Sequence, residues 1–278
     1  MITKCIFPVA GYGTRFLPAT KSQPKEMLPV VNKPLVQYGV EEAMEAGLVD
    51  VGFVTGRGKR TIGDHFDISY ELEHQIKGTS KEHHLDGIRN VLDNCNFLFA
   101  RQREMKGLGH AILTGRGMVG EHPFGVILAD DLCITEEGDG VMAQMVKLYK
   151  QFRCSIVAIE EVPEDQVNRY GIVSGELIRD GLYRVVDMVE KPQPKDAPSN
   201  LAIIGRYILT PDIFDILENT PPGANGEIQI TDALRKQCQD GVVLAYKFRG
   251  RRFDCGSIDG FVEATNYCYE NLYKKGRL

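Results

Sequence analysis

The sequence predicts an α/β fold, a mixed and mainly parallel sheet flanked by helices, with a small β-rich region in its second half. Three observations carry this. Apolar runs of strand length alternate with segments of helical period over the first 160 residues. Beyond them the pattern changes to closely spaced strands with turn residues between. With 278 residues, 43% of them apolar and 26% charged, the chain is an ordinary globular one, long enough to bury a real core.

Each element follows from its residues. Lys4 to Val9 (KCIFPV) is a strand whose Pro8 must sit at the exit, because proline has no N–H for a central ladder. Leu35 to Ala46 has apolar residues at helical spacing and stops at Gly47, a residue suited to a left-handed cap. Asp50 to Thr55 is the second strand. Residues 58–95 are polar and mostly helical, an insert in which Thr79 and Glu82 are spaced as a capping box for the helix that follows. Phe97 to Arg101, Gly125 to Ala129 and Cys154 to Ile159 are strands, separated by helical stretches near Leu108–Met118 and Val141–Phe152. Such an order places ligands at the carboxyl ends of the strands. Gly171–Ile178 and Leu182–Val189 then form a hairpin through R-D-G, and Leu201–Leu209 is a further strand. Thr210-Pro211 opens a helix. A strand pair near Val242–Phe253 leads into a C-terminal helix from about Ile258. No Gly- or Ser-rich linker divides the chain, so residues 1–278 read as one domain: a first half 1–160, a second half 161–257 and the helix 258–278.

Charge and cysteine content remove several function classes. A formal charge of -5 argues against a nucleic-acid binder, which carries a basic excess. Seven cysteines are scattered without a C-x-x-C pair, so they read as reduced, small buried residues rather than as a disulfide framework or zinc knuckle. No apolar run is long enough to cross a bilayer, and the N-terminus reads directly into a strand; a cytoplasmic protein without membrane contact is expected.

The stretch AGYGTRFLPATKSQPKE (Ala10 to Glu26) follows the first strand where a dinucleotide loop would lie. A nicotinamide fingerprint needs a third small residue where this chain has Phe16, and the second strand ends V-T-G-R-G without an acid for a ribose. A Walker loop fails for want of Gly-Lys-Ser/Thr. What remains is positive charge: Arg15, Lys21, Lys25 and Lys33 face one acid, Glu26, between Gly11 and Lys33. Gly11 and Gly13 let the backbone approach a phosphate while the cations neutralise it. A solvated loop is the plain alternative for such a cluster taken alone. A second feature is VILADDL (Val126 to Leu132), where an apolar strand runs into Asp130 and Asp131. Buried acids need hydrogen bonds or a metal, and magnesium needs only one or two carboxylates beside phosphate and water. In RFDCGS (Arg252 to Ser257), Asp254 again leaves a strand before a glycine turn. Two distant strand-end aspartates could flank one ion.

Together these motifs resemble the sugar nucleotidyltransferases. The likeness rests on AGYGTRFLPATKSQPKEMLPVVNKP, LADD, VEKP and FDCG, and further on KGLGHAI, YGIV and GEIQITDAL, in order from Thr3 to about Tyr269. The resemblance implies a Rossmann-like nucleotide-diphospho-sugar transferase fold, with a nucleotide half, the 58–95 insert and a sugar-phosphate half. It implies that Ala10, Gly11 and Gly13 lie against the nucleotide, with Glu26 also in contact. Arg15 and Lys25 hold the triphosphate, and Gln102 and Gly107 read the pyrimidine edge. On the other side, Gly171, Glu190, Lys191 and Ile203 take the sugar phosphate, and Asp130 and Asp254 match the acids that hold Mg2+. Asp131 departs from the commoner pattern and is open between a sugar contact, support of the metal and a strand cap; a place on the sugar-phosphate side is expected of it.

The implied reaction is transfer of a uridylyl group from UTP to glucose 1-phosphate by direct in-line displacement, with Arg15, Lys25 and Lys191 as the catalytic cations. No H-E-x-x-H helix, G-x-S-x-G elbow or cysteine nucleophile motif is present, and this chemistry requires none. The alternatives are a relative using dTTP or another sugar 1-phosphate, and a non-catalytic nucleotide-sugar sensor. The expected partners are small molecules, with assembly as a homodimer or homotetramer.

Overall fold

The computed structural model describes residues 2–223 and 226–278. Strand β1 (Lys4–Val9) buries Cys5, Phe7 and Val9 on one face and Ile6 on the other, the period-two pattern of a strand covered on both sides. A short ribbon, β2 (Pro29–Val30) with β3 (Lys33–Pro34), leads into α1 (Leu35–Glu45). That helix ends where expected. Gly47 adopts φ 81, its N–H donates to the Met44 carbonyl at 2.9 Å, and Leu48 N–H donates to Ala43 at 2.8 Å, which together close a Schellman motif.

After β4 (Asp50–Thr55) the insert comprises α2 (Arg60–His65), α3 (Tyr70–Ile76), a 3₁₀ turn at Glu82–Leu85 and α4 (Asp86–Asn94). The Thr79–Glu82 capping box does not close as expected. Thr79 N–H, the carboxylate's partner in such a box, is already bonded to the Ile76 carbonyl at 2.9 Å, so the Glu82 carboxylate accepts from Gly78 N–H at 2.8 Å instead. Beyond β5 (Asn96–Arg101), the single helix expected near Leu108–Met118 is two, α5 (Gly107–Thr114) and α6 (Arg116–Val119). Between them lies Gly115, where a methyl would meet Ile6 Cδ1 at 2.5 Å; the chain bends where it presses on β1.

There follow β6 (Phe124–Ile127), β7 (Asp131–Ile134), α7 (Val141–Phe152), β8 (Ser155–Glu161), the hairpin β9 (Gly171–Arg179) and β10 (Leu182–Glu190), and β11 (Leu201–Leu209). The chain ends with α8 (Ile213–Glu218), α9 (Ile230–Asp240), β12 (Val243–Lys247), β13 (Arg251–Asp254) and α10 (Ile258–Asn271). The main sheet has nine strands in the order β5-β4-β1-β6-β11-β8-β12-β10-β9. Its first four are parallel, and β11 pairs antiparallel with both β6 and β8. The start of β11 also pairs with β9, so the last five strands return on themselves as a small barrel-like ring beside the open parallel half.

The strand pair expected near Val242–Phe253 is corrected by the structure. Both strands exist, but they do not pair with each other: β12 inserts between β8 and β10, while β13 pairs antiparallel with β7. The chain crosses between them at Arg249, whose N–H is held by Gln144 Oε1 of α7 at 3.0 Å. This crossing sets Asp254 opposite Asp131 in register.

Two apolar layers hold the sheet. One packs Phe7, Phe53 and Ile208 against Val40 of α1 and Met142 of α7, and the other packs Val54 and Val126 against Ile112, Phe214 and Leu234. Through the first runs a buried ion pair: Arg206 on β11 donates to Glu42 of α1 from Nε at 3.1 Å and Nη2 at 2.7 Å, and Glu42 Oε1 also caps Met142 N–H at 3.0 Å. Arg206→Met leaves that carboxylate buried without its cation, and a loss of about 3–5 kcal/mol is expected, read as a lower urea midpoint. A midpoint unchanged from the wild type would show that the pair contributes nothing.

Candidate active site

The parallel strands deliver the site. Ala10 leaves β1, Gln102 leaves β5 and Asp130 follows β6, all at carboxyl ends. The loop after β1 folds back through three 3₁₀ turns, Thr14–Phe16, Ala19–Lys21 and Lys25–Met27. Gly13 makes this possible: it adopts φ 67, and a methyl there would sit 3.0 Å from Lys25 Cβ. Thr20 Oγ1 fixes the turn by donating to the Gly13 carbonyl at 2.7 Å.

Two clefts open on this face. The first, about 410 Å³, is lined by Ala10, Gly11, Gly13, Lys25, Glu26, Gln102 and Gly107. The second, about 290 Å³, is lined by Arg15, Asp131, Gly171, Glu190, Lys191, Ile203 and Asp254. Asp130 lines both, with Leu108, Leu128 and Glu227. The expected site residues thus lie in two neighbouring hollows that share Asp130, whereas Lys21 and Lys33 of the cationic stretch line neither, Lys33 pairing with Glu41 at 2.5 Å.

At that junction Lys25 Nζ lies 2.5 Å from Asp130 Oδ2. Burial works against the charge on each, but the pairing outweighs it: Asp130 is held below the ordinary carboxylate range and Lys25 above the ordinary amine range. Asp254 accepts from Arg169 at 2.9 Å and from Gly256 N–H at 3.1 Å. A methyl on Gly256 would lie 3.0 Å from Asp254 Oδ1, 3.1 Å from Asp130 Oδ2 and 3.3 Å from Arg15 Nη1. Two carboxylates and a guanidinium therefore converge on one point, which only glycine leaves open. Among the described residues no cluster of three or more His, Cys, Asp or Glu could hold a metal alone. Two carboxylate oxygens are nevertheless a fitting donor set for a hard cation that completes its shell with phosphate and water.

Glu26 is 1% exposed and bonds Lys59 of the insert at 2.7 Å, while its Oε1 has no partner among the described residues. Burial raises its pKa and Lys59 opposes the rise. In the second cleft Glu190 Oε2 accepts from Thr231 Oγ1 at 2.7 Å, and Lys191 Nζ lies 3.3 Å from Glu190 Oε1. Lys191 has φ 45, a strained conformation for a side-chain-bearing residue, and its N–H is tied to the Tyr170 carbonyl at 2.9 Å. Gly171 must be small because a methyl there would meet Thr231 Oγ1 at 2.7 Å.

Asp131 lies in the second cleft with Glu190 and Lys191. Its Oδ2 accepts from Gly205 N–H at 2.7 Å and its Oδ1 from Arg252 Nε at 2.6 Å. Burial raises its pKa, with Arg252 opposing. These two bonds join β7 to β11 and β13. Arg252 continues the bracing by reaching Glu160 Oε1 at 2.5 Å.

Lys59, Arg169, Glu227, Thr231 and Arg252 were not singled out by sequence reasoning. Glu227 and Thr231 lie inside GEIQITDAL and Arg252 opens RFDCGS, whose motif character was a signal; Lys59 and Arg169 had none. The seven cysteines are all unpaired, and burial pushes the Cys133 thiol up to about 12, far from a thiolate nucleophile.

Comparison with known proteins agrees with this geometry. The family model described as "Nucleotidyl transferase" matches residues 5–271. A UTP–glucose-1-phosphate uridylyltransferase of Pseudomonas aeruginosa is 71% identical over 277 residues, covering all of this chain and 99% of that protein. The crystal structure of an apo UDP-glucose pyrophosphorylase superposes with a TM-score of 0.95 at 60% identity, each chain covered completely. A UDP-glucose pyrophosphorylase complexed with UDP-glucose gives a TM-score of 0.92 at 58% identity, over 97% of this chain and 99% of that one. With a family match across nearly its whole length and relatives of this similarity, the chain belongs to the nucleotidyl transferase family.

Proposed function

We propose that the protein transfers a uridylyl group from UTP to glucose 1-phosphate, releasing pyrophosphate and forming UDP-glucose. The observation that carries this is the meeting of the two clefts at Asp130, where Asp254 and Arg15 converge on Gly256. The likeness to a uridylyltransferase and to a UDP-glucose complex supports the substrate pair.

The first cleft takes the nucleotide: Gly11 and Gly13 bring backbone close to it, and Gln102 and Gly107 face the base. The second takes the sugar phosphate, with Glu190 accepting from sugar hydroxyls and Lys191 pairing with the phosphate. Its attacking oxygen needs no base, since a phosphate monoester loses its second proton near pH ~6. The obstacle is repulsion: two unit charges about 4 Å apart interact by roughly 4 kcal/mol at an effective dielectric near 20, and several converge here. Arg15, Lys25 and Lys191 offset that charge and hold the two phosphates in line. Asp130 and Asp254 would hold Mg2+, which when bound supplies further positive charge to the phosphate oxygens. No covalent enzyme intermediate is required. A cytoplasmic location and assembly as a homodimer or homotetramer belong to the same proposal, and the assembly rests on the family resemblance alone.

Pyrophosphate release with Mg2+, glucose 1-phosphate and each nucleoside triphosphate in turn tests the reading. UTP is expected to be preferred, and a wide preference for dTTP would overturn it. Gly256→Ala tests the meeting point: the methyl would occupy the gap between the two carboxylates, so activity should fall roughly 10²-fold with the melting temperature little changed. Full activity in that variant would show that nothing binds there.

A further inference from the structure

Gln102 is 4% exposed and lines the nucleotide-side cleft, and its amide has two ways round. A half-turn about the last bond exchanges carbonyl for NH2 and so reverses the pattern shown to a ring. One way round is fixed in this structure. Nε2 lies 2.9 Å from His110 Nδ1 and 3.3 Å from the Gly107 carbonyl. A carbonyl can only accept, so the group facing it is the NH2. His110 Nδ1 must then also accept, which puts the imidazole proton on Nε2. The Gly107 contact is long, so the shorter bond to His110 is the one that holds the amide. No described residue donates to Gln102 Oε1.

Resting on the nucleotide reading of this cleft, we propose that His110 is a positioning residue for base selection. By offering a bare Nδ1 it keeps the Gln102 amide turned so that Oε1 is available to the ring N–H of uracil. Cytosine has no hydrogen at that ring nitrogen and meets an acceptor with an acceptor.

The surroundings favour the neutral ring. Burial lowers the His110 pKa below the usual imidazole value and the Lys106 charge lowers it further, with Glu104 opposing. Lys106 and Glu104 are themselves paired at 2.5 Å. From the segment packed over α5, Glu227 faces Gly107 and is bonded by Gln229 Nε2 at 3.1 Å. The sign is therefore fixed: His110 is neutral at pH 7, and acidification below its lowered pKa puts a second donor against the amide and turns it. Selectivity for UTP falls as the pH drops.

Steady-state kinetics with UTP and CTP between pH 5.5 and 8 test this, with UTP binding by the wild type measured by calorimetry alongside. His110→Ala is expected to raise KM for UTP more than it lowers kcat, and to narrow the UTP to CTP ratio of kcat/KM by roughly 10-fold, the scale of one lost hydrogen bond. His110→Asn can place Oδ1 where Nδ1 stood; it should restore the ratio and abolish the part of its pH dependence that separates UTP from CTP. An unchanged ratio in His110→Ala, or His110→Asn as impaired as His110→Ala, overturns the role of His110 while UTP still binds the wild type. No UTP binding by the wild type would remove the nucleotide reading itself, and this inference with it.

Discussion

Asp130→Asn is expected to bind UTP within a few-fold of the wild type and to lose about 10³-fold in kcat, roughly 4 kcal/mol of transition-state stabilisation. The substitution keeps the size of the side chain and removes only its charge. Asp130 lines both clefts, and unlike Glu227, which also does, its Oδ2 lies within reach of the point that Asp254 and Arg15 face. Without that charge Asp254 alone is left to draw a cation to the junction. Binding survives because the rest of the first cleft is untouched, and because Lys25, freed from its 2.5 Å partner, turns wholly to the triphosphate. Structural collapse is not expected, since both side chains of the pair keep about a quarter of their surface exposed, at 21% and 26%. Turnover at the wild-type rate would remove Asp130 from the chemistry.

Lys25→Met is expected to weaken both UTP binding and turnover, with kcat/KM down about 10²–10³-fold. Lys25 is the cation that the loop after β1 is folded to deliver, through Gly13 and the turn it caps. The variant also carries a pH signature with a defined sign. Asp130 stays ionised below the usual carboxylate range because Lys25 outweighs its burial. Without Lys25, burial acts unopposed by that partner and the Asp130 pKa rises. The carboxylate is then lost at higher pH as the solution is acidified, and the acid limb of the kcat profile moves upward. In the wild type the pair is charged from below the usual Asp range to above the usual Lys range, so its limb near neutrality belongs to the substrate phosphate at about 6. An acid limb identical in the two proteins would show that Lys25 does not control Asp130.

Much of this arrangement was legible before any coordinates. β1, α1, β4, α7, the β9–β10 hairpin and β11 follow from period and punctuation, because their apolar residues recur at the strand or helix period and some of them end on a residue suited to the turn, as α1 does at Gly47. What escaped was pairing at a distance. Nothing in VVLAYKFRGRRFD reveals that its two strands join different sheets, since that depends on Gln144 catching Arg249 across the fold. The ends of the parallel strands were readable as a site because acids and glycines there have little other reason to follow apolar runs. Asp131 stayed open in the sequence for the converse reason: a strand-end acid looks the same whether it faces a ligand or also braces the fold, as here through Gly205 and Arg252. Lys59 and Arg169 lie on segments whose charged residues look like solvated surface, and only the fold brings them to Glu26 and Asp254.

In the proposed reaction the two clefts are joined by a cation held between Asp130 and Asp254, where the phosphates meet. Anomalous scattering from crystals grown with UDP-glucose and Mn2+ in place of Mg2+ tests it most directly. One strong peak touching both carboxylates and the diphosphate is expected. An ordered UDP-glucose with no peak there, or with the ion bound elsewhere, would contradict it.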